Sequence, residues 1–434
     1  MANRSGVLIG SFLMTLGITA MTADAQAAPR RLVLCLDGTW NSTFGETTRA
    51  DGHKVLRPTN PLKICRAVLP QDSSGRAQIT YYDIGVGSLA EYEGKANRLL
   101  RFSDRILGGA YGAGLEANVE DALHFIQLNY QEGDEVYIFG FSRGSATARA
   151  VTQFLEWNNG IFAKDDAYYL PRFFREFVKT QGMTSAADYR KTIDDSRSPE
   201  DREHNAGSIK PSRPVPVTYL GVFDTVAALG SRFRAKGDST SAPGRSFLTG
   251  KKPASCIVRA RQALAVDEAR FDFRPELWVE KHPHQTIEQR WFAGVHSNVG
   301  GGYRYDGLAN IALKWIVEGA QGENKDGLQF DEAYLVHFGR RADAQLYDSS
   351  SSLYRAIEAI RFRKGKGKRP IAGINAELSH SVVARIATPE DKLLRDATKG
   401  AKNTAPGPYR PENVLQFLAC QPDLDAYLRS LPFE

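Results

Sequence analysis

The sequence predicts an α/β fold built on a doubly wound, mostly parallel β-sheet, with helical insertions and a C-terminal helical extension. Short apolar and β-branched runs, typical of buried parallel strands, alternate along the chain with stretches of helical periodicity. Several apolar runs stop at a glycine turn or a polar residue, where the ligand loops of open parallel sheets begin. Because strand, helix and strand follow one another, right-handed crossover connections are expected.

Length and composition fit a globular protein with a large core. Of the 434 residues, 42% are hydrophobic, 10% aromatic and 24% charged, which argues against wholesale disorder. The net charge of +6 is too small and too dispersed to indicate nucleic-acid binding, so no nucleic-acid partner is expected. The oligomeric state stays open.

Residues 1–27 are predicted to be a secretory signal peptide. Arg4 supplies a positive charge, residues 7–20 are apolar, and Ala25-Gln26-Ala27 is a small-x-small cleavage site. An uncleaved N-terminal anchor is the alternative. Export would place the protein in the periplasm or outside the cell, and residues 28–434 are expected to form a single domain.

Export would also place four cysteines in a compartment where disulfides can form. They are Cys35, Cys65, Cys256 and Cys420. Sequence does not choose among the three ways of pairing them. Their spacing matches no zinc site, and the chemistry predicted below needs no cofactor, so neither a metal nor a cofactor is expected.

The first half of the sheet is predicted from strands and helices in regular succession. The apolar run from Arg31 to Leu36 predicts a central strand that ends in a glycine turn. Thr59-Asn60-Pro61 predicts the start of a helix, with threonine or asparagine as cap and proline in the first turn. A strand is expected from Gln78 to Asp83, and a helix from Leu107 to Tyr130.

The next strand and helix enclose a Gly-x-Ser-x-Gly pentapeptide. Val136 to Phe139 predicts the strand and Ser145 to Ala150 the helix. In a nucleophile elbow the serine, here Ser142, sits on a strained turn that exposes its hydroxyl at the end of the sheet. Gly140 and Gly144 fit the flanking positions because side chains there would collide with the neighbouring strand or helix. This context predicts a sheet of the α/β-hydrolase type.

Two segments interrupt the alternation and are predicted as insertions. The first, residues 157–214, contains an aromatic helical stripe from Leu170 to Val178. Such a stripe could form a lid over an apolar cleft, but packing in the core is commoner and is expected here. The second insertion, residues 231–255, is basic and rich in Gly, Ser and Pro.

The second half of the sheet is predicted from two further buried strands. They are Val215 to Val222 and Arg290 to Val295. A helix is expected from Leu308 to Ala320, and residues 321–434 are expected to form the helical extension.

Polar residues that close these strands can form a serine-hydrolase triad. A serine hydroxyl is a weak nucleophile until a neutral imidazole takes its proton, and a carboxylate on the other imidazole nitrogen fixes the tautomer. In this fold the chain order is nucleophile, acid, histidine. Reading onward from Ser142, the strand ends supply Asp224 and then His296, which we expect to be catalytic.

The expected oxyanion hole uses two backbone N–H groups. One belongs to Arg143, the residue after the nucleophile, and the other to Gly38 or Thr39 in the glycine turn after the first central strand. Asp37 could instead orient that turn. Two such donors would stabilise the charge that develops on the ester carbonyl oxygen.

Each triad assignment has an alternative. Asp224 could cap a helix with Thr225, and His296 could be a buried structural histidine. His380 is the main rival base. Asp83 is the rival acid, but it precedes the serine and breaks the usual order.

Five segments carry a further signal. They are Leu36-Asp-Gly-Thr-Trp-Asn41, Gly85-Val-Gly87, Gly140-Phe-Ser-Arg-Gly144, Phe223-Asp-Thr-Val226 and Gly294-Val-His-Ser-Asn-Val-Gly-Gly-Gly-Tyr303. In this order they resemble a bacterial and fungal α/β-hydrolase family that includes the type VI secretion phospholipase effectors of the first lipase class. The resemblance runs from about Arg30 to Ala320, and its triad pattern falls on Ser142, Asp224 and His296. It implies hydrolysis of ester bonds in glycerophospholipids.

The chain departs from this family in two respects. The family usually has aspartate where Asn298 stands, so the resemblance implies no role for that residue. Secretion-system effectors are injected by their apparatus, whereas this chain is predicted to carry an ordinary export signal.

These observations predict an exported serine esterase or lipase that acts on lipid acyl esters. One alternative is an esterase for small soluble or cell-wall esters. The other is a non-catalytic surface-binding protein on a hydrolase scaffold, in which the basic tract Arg361 to Arg369 would contact anionic lipid headgroups at a membrane surface. A solvated basic loop is the commoner explanation of such a tract.

Overall fold

A seven-stranded parallel sheet runs through the part of the protein that the structure describes. The structure is a computed structural model, and its described residues are 28–38, 46–48, 52–84, 111–198, 200, 208–226, 250–270, 273–349, 369–394 and 407–431. In chain order the strands are β1 (Arg31–Leu36), β2 (Glu46–Thr48), β3 (Lys54–Leu56), β4 (Gln78–Asp83), β5 (Glu135–Phe141), β6 (Val217–Phe223), β7 (Ile257–Ala265), β8 (Thr286–Phe292) and β9 (Ala376–Leu378). The predicted α/β fold is confirmed.

The strand order across the sheet is β4-β1-β5-β6-β7-β8-β9, and every neighbouring pair is parallel. β2 and β3 form a separate antiparallel pair. The chain leaves β1 towards β4 on one side and later returns to β5 on the other. Such a reversal of strand order opens a crevice at the carboxyl ends of β1 and β5, where ligands bind in open parallel sheets.

Helices cover both faces of the sheet. They are α1 (Asn60–Ala67), α2 (Tyr111–Asn129), α3 (Arg143–Trp157), α4 (Leu170–Thr180), α5 (Ala186–Ser196), α6 (His296–Gly300), α7 (Gly307–Gln321), α8 (Glu332–Leu335), α9 (His380–Ala387), α10 (Glu412–Ala419) and α11 (Leu424–Ser430). Alternate residues of β1 point to opposite faces of the sheet. Leu34 packs with α2, α3 and α4 on one face, whereas Val33 and Cys35 pack with α1 and α7 on the other. Among the described helices, none is long and apolar enough to cross a membrane.

Most predicted elements occur close to their expected bounds, but four strands (β2, β3, β7 and β9) were not predicted. β1 and β4 have the predicted bounds, whereas the strand predicted from Arg290 to Val295 is β8 and begins earlier, at Thr286. β7 was not predicted because arginines interrupt its apolar pattern. Arg259 and Arg261 instead donate to carbonyl oxygens of α7, which lets their stems lie along the sheet. One strand therefore separates the two that precede Asp224 and His296.

The aromatic stripe of the first insertion packs in the core, as expected, and does not form a lid. It lies on α4, where Phe173, Phe174 and Phe177 are buried. The rings of Phe174 and Phe177 meet the Phe154 ring of α3 edge-on, with centroids 5.8 and 5.7 Å away. This packing fixes α4 against the helix that follows the elbow.

The C-terminal part of the chain joins the same core. β9 is an edge strand of the sheet, and Val382, Val414 and Leu431 are buried in the layer that contains α1 and α7. The predicted signal peptide (residues 1–27), most of the second insertion (231–249) and all but the last residue of the basic tract (361–368) lie outside the described residues.

Candidate active site

Ser142 occupies a strained turn between β5 and α3. Its backbone has φ 57° and ψ −118°, a conformation that costs a non-glycine residue about 1–3 kcal/mol. A Cβ atom on Gly140 would lie 2.5 Å from the carbonyl oxygen of Gly144, and one on Gly144 would lie 2.1 Å from that of Leu36. These distances are shorter than non-bonded contacts between carbon and oxygen, so the turn requires glycine on both sides of the serine.

Backbone hydrogen bonds tie the elbow to the end of β6. The N–H of Ser142 donates to the carbonyl oxygen of Phe223 at 3.0 Å, and the N–H of Val226 donates to the carbonyl oxygen of Ser142 at 3.4 Å. Asp224 lies between those two residues. The predicted nucleophile and the predicted acid are therefore on adjacent strand ends.

Asp224 and His296 form a direct, buried pair. Nδ1 of His296 lies 2.6 Å from Oδ2 of Asp224, whose side chain is completely buried. The other carboxylate oxygen, Oδ1, accepts from the N–H of Ala265 at 3.0 Å. Oδ1 thus binds Ala265 of β7 and Oδ2 binds the ring of His296 in α6, so the side chain of Asp224 does not cap the segment that follows it. Its backbone has a positive φ of 45°, the second strained residue of the site.

The charge state of the pair follows from its surroundings. Burial would raise the pKa of Asp224, but the positive charge of Arg369 and the hydrogen bond with His296 lower it to about 2. An ionised carboxylate can only accept, so Nδ1 of His296 carries the hydrogen and Nε2 is the free acceptor of the neutral ring. Burial lowers the pKa of His296 despite the attraction of Asp224. The imidazole is therefore neutral at neutral pH.

Aromatic rings hold the imidazole in place. The ring centroids of Phe141 and Phe273 lie 4.7 and 5.0 Å from that of His296. Phe141 directly precedes Ser142, so this contact brings the histidine ring beside the elbow. Nε2 of His296 is buried and has no hydrogen-bond partner among the residues that the structure describes.

The hydroxyl of Ser142 is not hydrogen-bonded to His296 within the described ranges. Hydrogen bonds between catalytic groups are often long or poorly aligned without substrate and shorten when it binds. The structure thus brings the three predicted triad residues to one edge of the sheet, with one of the two expected side-chain contacts formed.

The predicted oxyanion donors are in different situations. Arg143 is the first residue of α3, a position whose N–H has no acceptor within its own helix. The N–H of Gly38 donates to Oδ1 of Asp37 at 2.8 Å, while Oδ2 of Asp37 accepts from Thr59 and Tyr82. Asp37 thus orients this turn, as the alternative proposed, and the N–H of Gly38 is engaged.

The position of Thr39, the other candidate for the second donor, lies outside the described residues. Because Gly144 approaches the carbonyl oxygens of Leu36 and Asp37, the turn that leads to Thr39 begins directly beside the elbow.

The rival residues end or follow strands that do not neighbour β5, the strand that leads to Ser142. Asp83 ends β4, two strands from β5, and accepts from Nδ2 of Asn118 at 2.6 Å. Burial and the neighbouring charge of Asp121 raise the pKa of Asp83 to about 7. His380 begins α9 after the edge strand β9, four strands from β5.

Asn298 bridges two segments near the histidine. Its Nδ2 donates to the carbonyl oxygen of Gln345 at 3.1 Å, and its Oδ1 accepts from the N–H of Tyr347 at 3.2 Å. An ionised aspartate could not make both bonds, because it has no hydrogen to give. Asn298 thus holds residues 345–347 against α6.

Sequence reasoning missed two carboxylate–arginine interactions beside the triad. Glu268 accepts from the backbone N–H of His296 at 3.2 Å and binds Arg270 through both oxygens. Arg369 binds Asp224 and is only 3% exposed. Assigning Arg369 to a solvated or lipid-facing tract was therefore wrong for this residue, because a buried carboxylate binds it. No local sequence pattern indicates either interaction.

Comparison with known proteins places the chain in a family. A model of the catalytic domain of Tle1-like phospholipase effectors of the type VI secretion system matches residues 30–319. An uncharacterized protein of Saccharomyces cerevisiae is 25% identical over 218 residues, which are 47% of this chain and 28% of the yeast protein.

Two solved structures are similar at low scores. An uncharacterized protein from Pseudomonas aeruginosa has 18% identity and a TM-score of 0.36, over 78% of this chain and 51% of that one. The Tle1 effector bound to the VgrG spike of the type VI secretion system has 18% identity and a TM-score of 0.32, over 64% and 52% of the two chains. This chain thus spans about half the length of those proteins. On the match to residues 30–319, the chain belongs to the family of Tle1-like phospholipase effector catalytic domains.

Proposed function

We propose that the protein is a serine esterase that hydrolyses acyl esters of lipids, phospholipids above all, with Ser142, Asp224 and His296 as its triad. The observation that carries the proposal is the 2.6 Å contact between Asp224 and His296 beside the strained elbow. This contact leaves Nε2 as the basic nitrogen of a buried neutral imidazole. The family of Tle1-like phospholipase effector domains supports a hydrolase of lipids.

The first half of the reaction acylates the serine. Oγ of Ser142 attacks the carbonyl carbon of the ester, and its proton passes to Nε2 of His296. Negative charge develops on the carbonyl oxygen, towards which the N–H of Arg143 would donate. The bond from carbon to the alcohol oxygen then breaks, and the alcohol leaves with the proton from His296.

The second half releases the acid. Water gives a proton to Nε2 of His296 and attacks the acyl carbon, and the bond to Oγ breaks as Ser142 recovers that proton. Asp224 stays ionised throughout, because, despite its burial, the charge of Arg369 and the hydrogen bond with His296 lower its pKa to about 2. Its charge stabilises the imidazolium that forms in both halves.

Covalent labelling tests the proposal. A fluorophosphonate should label the wild type and leave Ser142→Ala unlabelled. Ser145→Ala is the matched control, because Ser145 is a buried serine in the first turn of α3, directly after the elbow. Its hydroxyl donates to the carbonyl oxygen of Phe223. This control should lose about 1 kcal/mol of stability but keep its label. Labelling of Ser142→Ala, or loss of label only in Ser145→Ala, would contradict the assignment.

A substrate panel tests the ester class. Wild type and Ser142→Ala should be compared on phospholipid vesicles and on short p-nitrophenyl esters. We expect Ser142-dependent release of fatty acid from the vesicles. Activity on short soluble esters alone would favour the esterase alternative, and no Ser142-dependent activity on either would favour a binding protein.

We further propose that the enzyme is exported and that residues 28–434 act as one domain. Export rests on the signal-like pattern of residues 1–27. The single domain rests on the C-terminal residues that join the core beside α1 and α7. The mass of the protein recovered from the periplasm or medium should correspond to a chain that begins at Ala28; a protein retaining Met1 in the cytoplasm would contradict export.

A further inference from the structure

The acid of the proposed triad is held by an arginine that lies beyond the residues matched by the family model. Nη1 of Arg369 lies 2.6 Å from Oδ1 of Asp224, and Nη2 lies 3.1 Å from Oδ2. A guanidinium that binds both oxygens of a carboxylate fixes its plane as well as neutralising its charge. The same nitrogens donate to the carbonyl oxygens of Ala265 and Phe273.

The backbone of Arg369 is also fixed. Its carbonyl oxygen accepts from Nδ2 of Asn413 at 2.9 Å, and that amide also donates to the carbonyl oxygen of Val266 at 3.1 Å. Asn413 belongs to α10, so a helix near the C-terminus ties Arg369 to the end of β7. Both the main chain and the side chain of Arg369 therefore have defined positions beside the triad.

Each of the two carboxylates that bind His296 has an arginine partner among the described residues. Asp224 follows β6, Glu268 and Arg270 follow β7, and Arg369 comes from the C-terminal part of the chain. Of the residues that the structure describes, Asp224 and Glu268 hydrogen-bond His296. Arg369 and Arg270 bind these two carboxylates, so the formal charges of the four groups sum to zero. A triad whose acid has no cationic partner would instead surround the imidazole with net negative charge, which favours its protonation.

We propose that Arg369 is a positioning residue for the triad, which orients Asp224 and offsets its charge so that His296 remains a neutral base at lower pH. This inference rests on the proposed function, since it takes Asp224 and His296 to act in ester hydrolysis. The contact of Arg369 with Asp224 also has a cost for catalysis. A partly neutralised Asp224 stabilises the imidazolium less, so the gain in neutral base at low pH comes with a weaker base.

The test is the pH dependence of kcat/KM on a p-nitrophenyl ester, whose acid limb reports the base of the free enzyme. Rates are normalised to the sites titrated by a fluorophosphonate, so that unfolded protein does not count. Arg369→Gln should move the acid limb up by about one pH unit, because a positive charge near the imidazole is lost. Arg369→Lys keeps the positive charge but cannot bind both carboxylate oxygens in the same plane. The acid limb of its pH profile should therefore match the wild type, while its kcat/KM at the pH-independent plateau falls ~10-fold.

Arg31→Gln is the matched control. Arg31 is also a buried arginine bound to carboxylates, with Asp72 at 2.7 Å and Glu135 at 2.9 Å, but it lies at the amino end of β1, opposite the triad. Its loss should lower the thermal stability and leave the acid limb unmoved. If the acid limb of the pH profile shifted as much in Arg31→Gln as in Arg369→Gln, the role of Arg369 would be structural only.

Two other results would overturn the inference. One is an Arg369→Gln variant with the acid limb of the wild type. The other, decisive if Arg369→Gln does not fold, is an Arg369→Lys variant with the plateau of the wild type, because the bidentate geometry would then be unnecessary. Full activity of Ser142→Ala in the same assay would instead refute the proposed function itself, so the two failures can be told apart.

Discussion

Replacing Asp224 with asparagine should inactivate and destabilise the protein, because every partner of the carboxylate is a donor. Oδ1 accepts from Ala265 and Arg369, and Oδ2 accepts from His296 and Arg369. The amide of asparagine must turn its NH₂ group towards one of these two sets. Either way a donor meets a donor, and the guanidinium of Arg369 loses half of its binding site.

The magnitudes follow from this geometry. An uncompensated buried charge costs about 3–5 kcal/mol, so the free energy of unfolding should fall by that order. With NH₂ facing His296, the imidazole would carry its hydrogen on Nε2 and could not accept the proton of Ser142. In serine-hydrolase triads the corresponding change lowers kcat by about 10⁴-fold. The fall in kcat should therefore far exceed the loss of folded protein.

The assay combines urea unfolding with kcat on a p-nitrophenyl ester, normalised to the folded fraction. Asp83→Asn is the matched control, since Asp83 also ends a strand and is the rival acid. Because its pKa is raised to about 7, Asp83 is only partly ionised at neutral pH, so a neutral amide there should change neither stability nor kcat much. The choice of acid would be refuted if Asp224→Asn kept more than a tenth of the wild-type kcat. It would also be refuted if Asp83→Asn lowered kcat more than Asp224→Asn does.

Three further predictions address the elbow, the base and acid stability. Gly144→Ala should give little folded protein, because its Cβ would lie 2.1 Å from a carbonyl oxygen of β1; normal yield and activity would refute the elbow geometry. His296→Gln should abolish hydrolysis whereas His380→Gln should keep it, and the reverse would identify the rival base. Burial opposes ionisation of Asp224 and Glu268, but neighbouring cations lower both pKa values to about 2, below those of the unfolded chain. Their stabilisation is therefore present above about pH 4.5 and lost as the pH falls towards 2, by roughly 2–3 kcal/mol each, which urea titrations at several pH values would measure.

Much of the sheet could be predicted because its strands follow simple rules. An unbroken apolar run gave β1 with its observed bounds, since a central parallel strand is buried on both faces. β4 was also predicted with its observed bounds, although it is a partly exposed edge strand with polar residues in it. β7 obeys that rule only in part. Two of its residues are arginines that donate to carbonyl oxygens of α7. Hydrogen bonds to residues so distant in the chain cannot be predicted from the local pattern of apolar and polar residues.

The candidate site divides in the same way. Ser142, Asp224 and His296 could be selected from sequence because strand ends and chain order constrain them. Arg369 could not, because it lies 145 residues from its partner and sits at the end of a basic run that resembles a surface loop. Gly38 stays a predicted oxyanion donor. The bond of its N–H with Asp37 could not be predicted, because it depends on turn geometry that the motif does not specify.

The central claim is that the hydroxyl of Ser142 and Nε2 of His296 meet when substrate is bound. A crystal structure of the protein after reaction with a fluorophosphonate would test it most directly. We predict phosphorus bonded to Oγ of Ser142, Nε2 of His296 about 3 Å from that oxygen, and Nδ1 still on Asp224. An adduct on Ser142 with the imidazole turned away, or with another histidine beside it, would contradict the account.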